Sequence, residues 1–97
     1  MRLDAGITNV SSAGTAVQVN NATNRVRWVR FKALAANSGL TYVGVSDVSA
    51  SLGYELSAGN TVDLNFGEFA GSVPVSILYV DAATNNDKVS WLMIMDG

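Results

Sequence analysis

From Thr61 to Phe66 the chain alternates without a break: Thr61, Asp63 and Asn65 are polar, and Val62, Leu64 and Phe66 are apolar. Successive side chains of a strand point to opposite faces, so this run predicts a half-buried strand with its apolar set inward. Shorter runs repeat the pattern. Residues 2–7 form one, with Leu3 and Ile7 inward. In residues 14–19, Val17 and Val19 share a face. Residues 41–45 place Thr41, Val43 and Val45 on one side and Tyr42 on the other, and Val48, Leu52, Tyr54 and Leu56 supply anchors beyond them.

Three segments depart from clean alternation. In residues 26–34, Val26 and Trp28 share one face while Val29 and Phe31 share the other. A β-bulge near Trp28 reconciles the two phases, and the reading is a strand packed inside at one end and covered by a neighbouring subunit at the other. Residues 76–80 are apolar on both sides, with Val75, Ile77 and Tyr79 opposing Leu78 and Val80. The last segment, residues 88–95, sets Val89, Trp91 and Met93 against Leu92 and Ile94, so both faces need cover.

Turn formers separate these runs: the polar stretch 20–24, residues 35–39, residues 57–60 with Gly59 suited to positive φ, the glycine-punctuated loop 67–72, and the polar stretch 81–87. Pro74 belongs at a strand's start or edge, because it cannot donate a ladder hydrogen bond. No apolar pattern at helical spacing is sustained. The prediction is one all-β domain over residues 1–97, an antiparallel β-sandwich of eight strands, which is the count of a jelly roll. An immunoglobulin-like sandwich and an open oligonucleotide-binding barrel are the rivals. The expected core draws on Val17, Val19, Val43, Val62, Leu64, Phe66, Ile77, Val89 and Trp91.

Composition narrows the chemistry. The chain has no Cys and no His, which removes disulfides, Cys-His and Ser-His-Asp catalysis, and the usual zinc and haem ligand sets. Six Lys and Arg stand against eight Asp and Glu, for a net charge of -2. That balance argues against broad attraction to nucleic acid or anionic lipid. No apolar run is long enough to span a membrane, and the N-terminal sequence lacks the apolar centre of a signal peptide. The chain reads as a protein made in the cytoplasm, with no cofactor.

What remains is a short set of candidates. Asp63 and Glu68 could act as a carboxylate pair only if they converged in a cleft; a solvated surface is the expected reading. Asp47, Asp81 and Asp87 offer oxygen atoms to calcium at no recognised loop spacing, so no metal is expected. Arg25, Arg27, Arg30 and Lys32 form the basic cluster, interleaved with Trp28 and Phe31. Such a surface could stack single-stranded nucleic acid, but the acidic balance favours a protein interface, where Arg and aromatic residues are enriched. Arg25, Arg27, Trp28, Arg30 and Phe31 are therefore the candidate interface, with no nucleic acid as partner and no catalytic residue.

The segment TYVGVSDVSASLGYELSAGNTVDLNFG resembles a pattern of small β-sandwich structural proteins of tailed bacteriophages, which decorate or cement the capsid. Tyr42, Val43 and Gly44 match a strand ending in YVG, Ser46 and Val48 an S-x-V element, and Gly53 and Tyr54 a Gly-aromatic pair. Gly59 matches a turn, and Val62 and Leu64 a further alternating strand. Ala58-Gly59 stands where the pattern often has Pro-Gly. The resemblance implies a non-enzymatic virion protein, made in the host cytoplasm, that binds across major capsid subunits as a homo-oligomer, with a trimer suited to local threefold positions. The alternative is a carbohydrate- or host-receptor-binding module of a phage tail or fibre, with Tyr42 and Tyr54 beside Asp47 as its expected sugar-stacking pair.

Overall fold

Antiparallel strands make up nearly all the regular structure of the computed structural model, which describes residues 2–68 and 71–96. In one sheet β1 (Arg2–Val10) neighbours β9 (Asp87–Met95), then β3 (Arg25–Ala33) and β6 (Thr61–Asn65), with β7 (Val73–Pro74) also pairing β3. The second sheet runs β2 (Val17–Gln18), β8 (Tyr79–Ala82), β4 (Thr41–Gly44), β5 (Tyr54–Leu56). One set of pairings is nested: β1 with β9, β2 with β8, β3 with β6 and β7, and β4 with β5. Contacts of β9 with β3 and of β8 with β4 complete the two sheets. Two 3₁₀ turns and no α-helix occur among the described residues.

Side chains from both sheets fill the space between them, so the chain is a small β-sandwich, as its alternation predicts. The first sheet contributes Val26, Val29, Phe31, Val89, Met93 and Met95; the second contributes Val43, Leu56 and Val80. Of the expected core, Val19, Val43 and Val89 are buried, while Val17, Val62, Leu64, Phe66 and Trp91 pack against its margin. Ile77 is 40% exposed, contrary to expectation. The reason is local: residues Val75–Ile77 form a 3₁₀ turn after Pro74 rather than a strand, which turns Val75 inward and Ile77 outward.

The bulge expected near Trp28 is present. Register between β3 and β9 shifts between Val26 and Trp28, so Val26 and Val29 are both buried while Arg27 is exposed and Trp28 half-buried between them. In β1 the phase is the reverse of the expected one. Leu3 and Ile7 are exposed at 68% and 61%, and the inward positions are Asp4, Gly6, Thr8 and Val10. Trp91, cross-strand from Gly6, occupies the space a larger inward residue would need, and its Nε1 donates to Thr8 Oγ1 at 3.1 Å.

Tyr42 does point to the other side of β4 from Val43, yet it is buried at 5%. The loop 45–53 folds over it. Gly53 lies so close that a Cβ there would sit 2.7 Å from Val48 Cγ2 and 2.9 Å from Tyr42 Cβ. Val48 is thereby buried, whereas Leu52 and Tyr54, both expected as anchors, are exposed at 61%.

Candidate functional site

The outer face of the first sheet is the most unusual surface of the described residues. Register sets its side chains in rows: Leu3, Ile94, Trp28 and Asn65 in one, then Ala5, Leu92, Arg30 and Asp63, then Ile7, Ser90, Lys32 and Thr61. Three adjacent strands thus present Leu3, Ala5, Ile7, Leu92, Ile94 and Trp28 on the side away from the core. A strand exposed on one face should turn its apolar positions inward and its polar ones outward; β1 alternates with Leu3 and Ile7 outward, and the end of β9 is apolar on both faces. Scattered exposed hydrophobic residues are ordinary, but a contiguous patch rimmed by polar groups marks a contact surface.

The polar rim is built from the basic cluster. Arg30 pairs bidentately with Asp63 across the strands, Nε to Oδ1 at 2.6 Å and Nη2 to Oδ2 at 2.8 Å, and its guanidinium lies 5.7 Å from the centroid of the Trp28 ring. The Arg30 hydrogen bond holds the Asp63 carboxyl below its usual range and raises Arg30 in turn. Arg27 Nε donates to Asp96 Oδ1 at 2.7 Å, and Arg25 donates to the Ser72 hydroxyl and carbonyl. These guanidiniums are engaged within the chain, which favours a fixed rim over a mobile phosphate-gathering surface.

Four of the five expected interface residues, Arg25, Arg27, Trp28 and Arg30, reach the surface. Phe31 does not: it is fully buried in the core. From Trp28 onward the strand alternates regularly, so Arg30 shares the outward face with Trp28 while Phe31 turns inward with Val29. Leu3 and Ile7 belong to the patch although their alternation reads as inward. The doubled apolar faces of residues 88–95 were the sequence signal for Leu92 and Ile94.

The acidic candidates are dispersed. Asp81 is buried, and its Oδ1 accepts from the Gly14 and Ala82 amides. Asp87, also buried, accepts from Ser38 and Gly39 through its two oxygens at 3.0 and 2.8 Å. Asp47 is exposed on the loop 45–53. Among the described residues no three acidic side chains gather as a metal site. Asp63 is committed to Arg30, and the side chain of Glu68 lies outside the described residues.

A second feature is an apolar cavity of about 390 Å³ where the sandwich opens between β5 and β6, walled by Val43, Tyr54, Val62, Leu64, Phe66 and Leu78 among others. Tyr54 stands at its rim, cross-strand from Val43, while Tyr42 lies on the opposite face of β4. The two tyrosines therefore form no joint stacking surface. Among the described residues no helix is long and apolar enough to cross a membrane. Comparison with protein-family models, with curated proteins and with solved structures found no match.

Proposed function

We propose that this chain is a non-enzymatic virion structural protein, a capsid decoration or cement protein that binds across neighbouring major capsid subunits. The observation carrying the proposal is the apolar patch of Leu3, Ile7, Leu92, Ile94 and Trp28 with its Arg30–Asp63 rim. A surface of that composition is stable when covered by another protein. Support comes also from the resemblance over residues 41–67, and from the nested strand pairing, which we read as the winding of a jelly roll.

The physical role follows from mass action. A protein that binds only the assembled shell stabilises it, and attachment through several copies multiplies the effect. The resemblance adds a homo-oligomer, with a trimer as one arrangement on the particle. The carbohydrate-binding alternative loses its expected sugar-stacking pair, since Tyr42 is under the loop 45–53.

Electron microscopy of the native particle tests the proposal. Density for this chain on the capsid lattice, with particles rupturing more readily once it is removed, is the expected result. Density confined to a tail or receptor-binding tip overturns the capsid assignment. A capsid position with unchanged rupture reduces the protein to passive decoration.

A further inference from the structure

The four sheet edges of this sandwich are not alike. β2 spans two residues, β5 spans three and carries Glu55, and β6 spans five with Asp63 outward. Short edge strands and edge charges are the usual defences against pairing with another chain. β1 has neither. It is nine residues long, and Leu3, Ala5, Ile7 and Asn9, its outward positions, are uncharged and exposed.

Its free hydrogen-bonding groups can be assigned. The Asp96 amide donates to the Arg25 carbonyl, and the Leu34 amide donates to the Lys88 carbonyl. Even-numbered positions of β9 therefore face β3, and odd-numbered ones face β1. Register pairs those with even-numbered positions of β1. The amides and carbonyls of Leu3, Ala5, Ile7 and Asn9 thus point away from the sheet. In agreement, the Ala5 amide is held by the adjacent Asp4 carboxylate at 3.0 Å rather than by a strand.

We infer that β1 pairs antiparallel with β1 of a second copy of this chain, about a twofold axis at Ala5, joining the two first sheets into one continuous sheet. That axis sets Leu3 of one copy opposite Ile7 of the other, twice, so the edge is complementary to itself. No like charges stand directly opposite each other along it, the two Asp4 side chains being diagonal neighbours, and the two outer apolar patches become one surface. Asp4 keeps the Ala5 amide satisfied in the single chain, and the carbonyl of the second copy replaces it. With the axis at Ala5, residues 2–8 of the two edges run together for roughly 24 Å and bury on the order of 1,000 Å² in all, at the low end of specific interfaces, where weak association is usual. The inference extends the oligomeric part of the proposed function, but it concerns the free protein and stands whether or not the partner is a capsid.

Analytical ultracentrifugation of the full chain at about 100 μM, well above a micromolar dissociation constant, tests it. The expected mass is twice the monomer's 10.2 kDa. Leu3→Lys/Ile7→Lys, which sets like charges opposite each other, should return the monomer. Leu3→Glu/Ile7→Lys, which sets opposite charges across the axis, should keep the dimer. Ala5→Pro removes an amide that β9 does not use and should also give monomer, with an unchanged circular dichroism spectrum. Hydrogen exchange should show the Leu3 and Ile7 amides gaining protection as the dimer forms. A monomer or a trimer for the unaltered chain overturns the pairing, as does the same mass for both double variants. Dissociation by Leu92→Lys with no change in edge-amide exchange would assign the contact to stacked outer faces, and overturns it too.

Discussion

The six-membered ring of Trp91 fills the space directly over Gly6, its cross-strand neighbour. A Cβ at position 6 would lie 2.5 Å from Cζ2 and 2.9 Å from Cη2 of the ring. That distance is far inside van der Waals contact, and the indole is also held by its hydrogen bond to Thr8. Gly6→Ala must therefore displace the ring, at a cost of about 1–3 kcal/mol in denaturant unfolding. Trp91→Phe removes the overlapping atoms, so in that background the same substitution should cost less. Additive effects of the two changes would show that the ring moves aside freely.

This contact also explains where sequence reading of β1 went astray. Alternation alone leaves the choice of inward face to the larger side chains, which favours Leu3 and Ile7. The choice here is made across the ladder, where Trp91 supplies the volume and β1 supplies glycine and threonine. The β3 bulge was legible, because Val26 and Val29 cannot both be inward on a regular strand. Val62 and Leu64 were legible as inward-facing, and the positive φ of Gly59, +84°, was foreseeable from its turn. Tyr42 was not: its cover comes from a loop whose path depends on Gly53, and no period in the sequence encodes that. The acidic residues misled for a similar reason. Asp81 and Asp87 look like surface charges in polar turns, yet they serve as buried acceptors for backbone amides.

Asp87 provides a direct test of that role. Its carboxylate accepts from two successive amides, Ser38 and Gly39, and so ties the loop after β3 to the start of β9. Asp87→Ala leaves those donors without their charged acceptor in a part-buried site and is expected to cost about 1.5–3 kcal/mol. Asp87→Asn keeps one acceptor oxygen but turns an amide donor toward the other N–H, so it should recover only part of the loss. Faster hydrogen exchange at Ser38 and Gly39 in both variants would place the effect at this clamp. Unchanged stability on Asp87→Ala would mean that water satisfies the two amides equally well.

Leu56 and Leu64 separate the closed part of the core from its open edge. Leu56 is 2% exposed and belongs to the central cluster, whereas Leu64 is half-buried beside the cavity between β5 and β6. Leu56→Ala should cost about 2–5 kcal/mol, because its site cannot collapse fully. Leu64→Ala should cost less, since part of the side chain already meets solvent and the space it vacates joins an existing opening. Urea unfolding of the two variants side by side reads the difference. Equal losses would show that the cavity edge is packed as rigidly as the centre.

Arg30 and Asp63 give a pH and salt signature at the rim of the apolar patch. The folded-state pKa of Asp63 lies below its ordinary value because Arg30 hydrogen-bonds the carboxylate. A depressed carboxylate contributes stability that is present above its unfolded pKa and is lost as pH falls through the folded value. The Arg30 shift is upward, so its contribution is present below the ordinary guanidinium range and has no effect on this acidic window. The Tm difference between the unaltered chain and Asp63→Asn should therefore be small and constant at neutral pH, then shrink toward zero below about pH 4. Both side chains are close to half exposed, so added salt should reduce the neutral-pH difference as well. A difference that grows on acidification would mean that Asp63 is held in its protonated form, and the bidentate pair with Arg30 could not then be its principal contact.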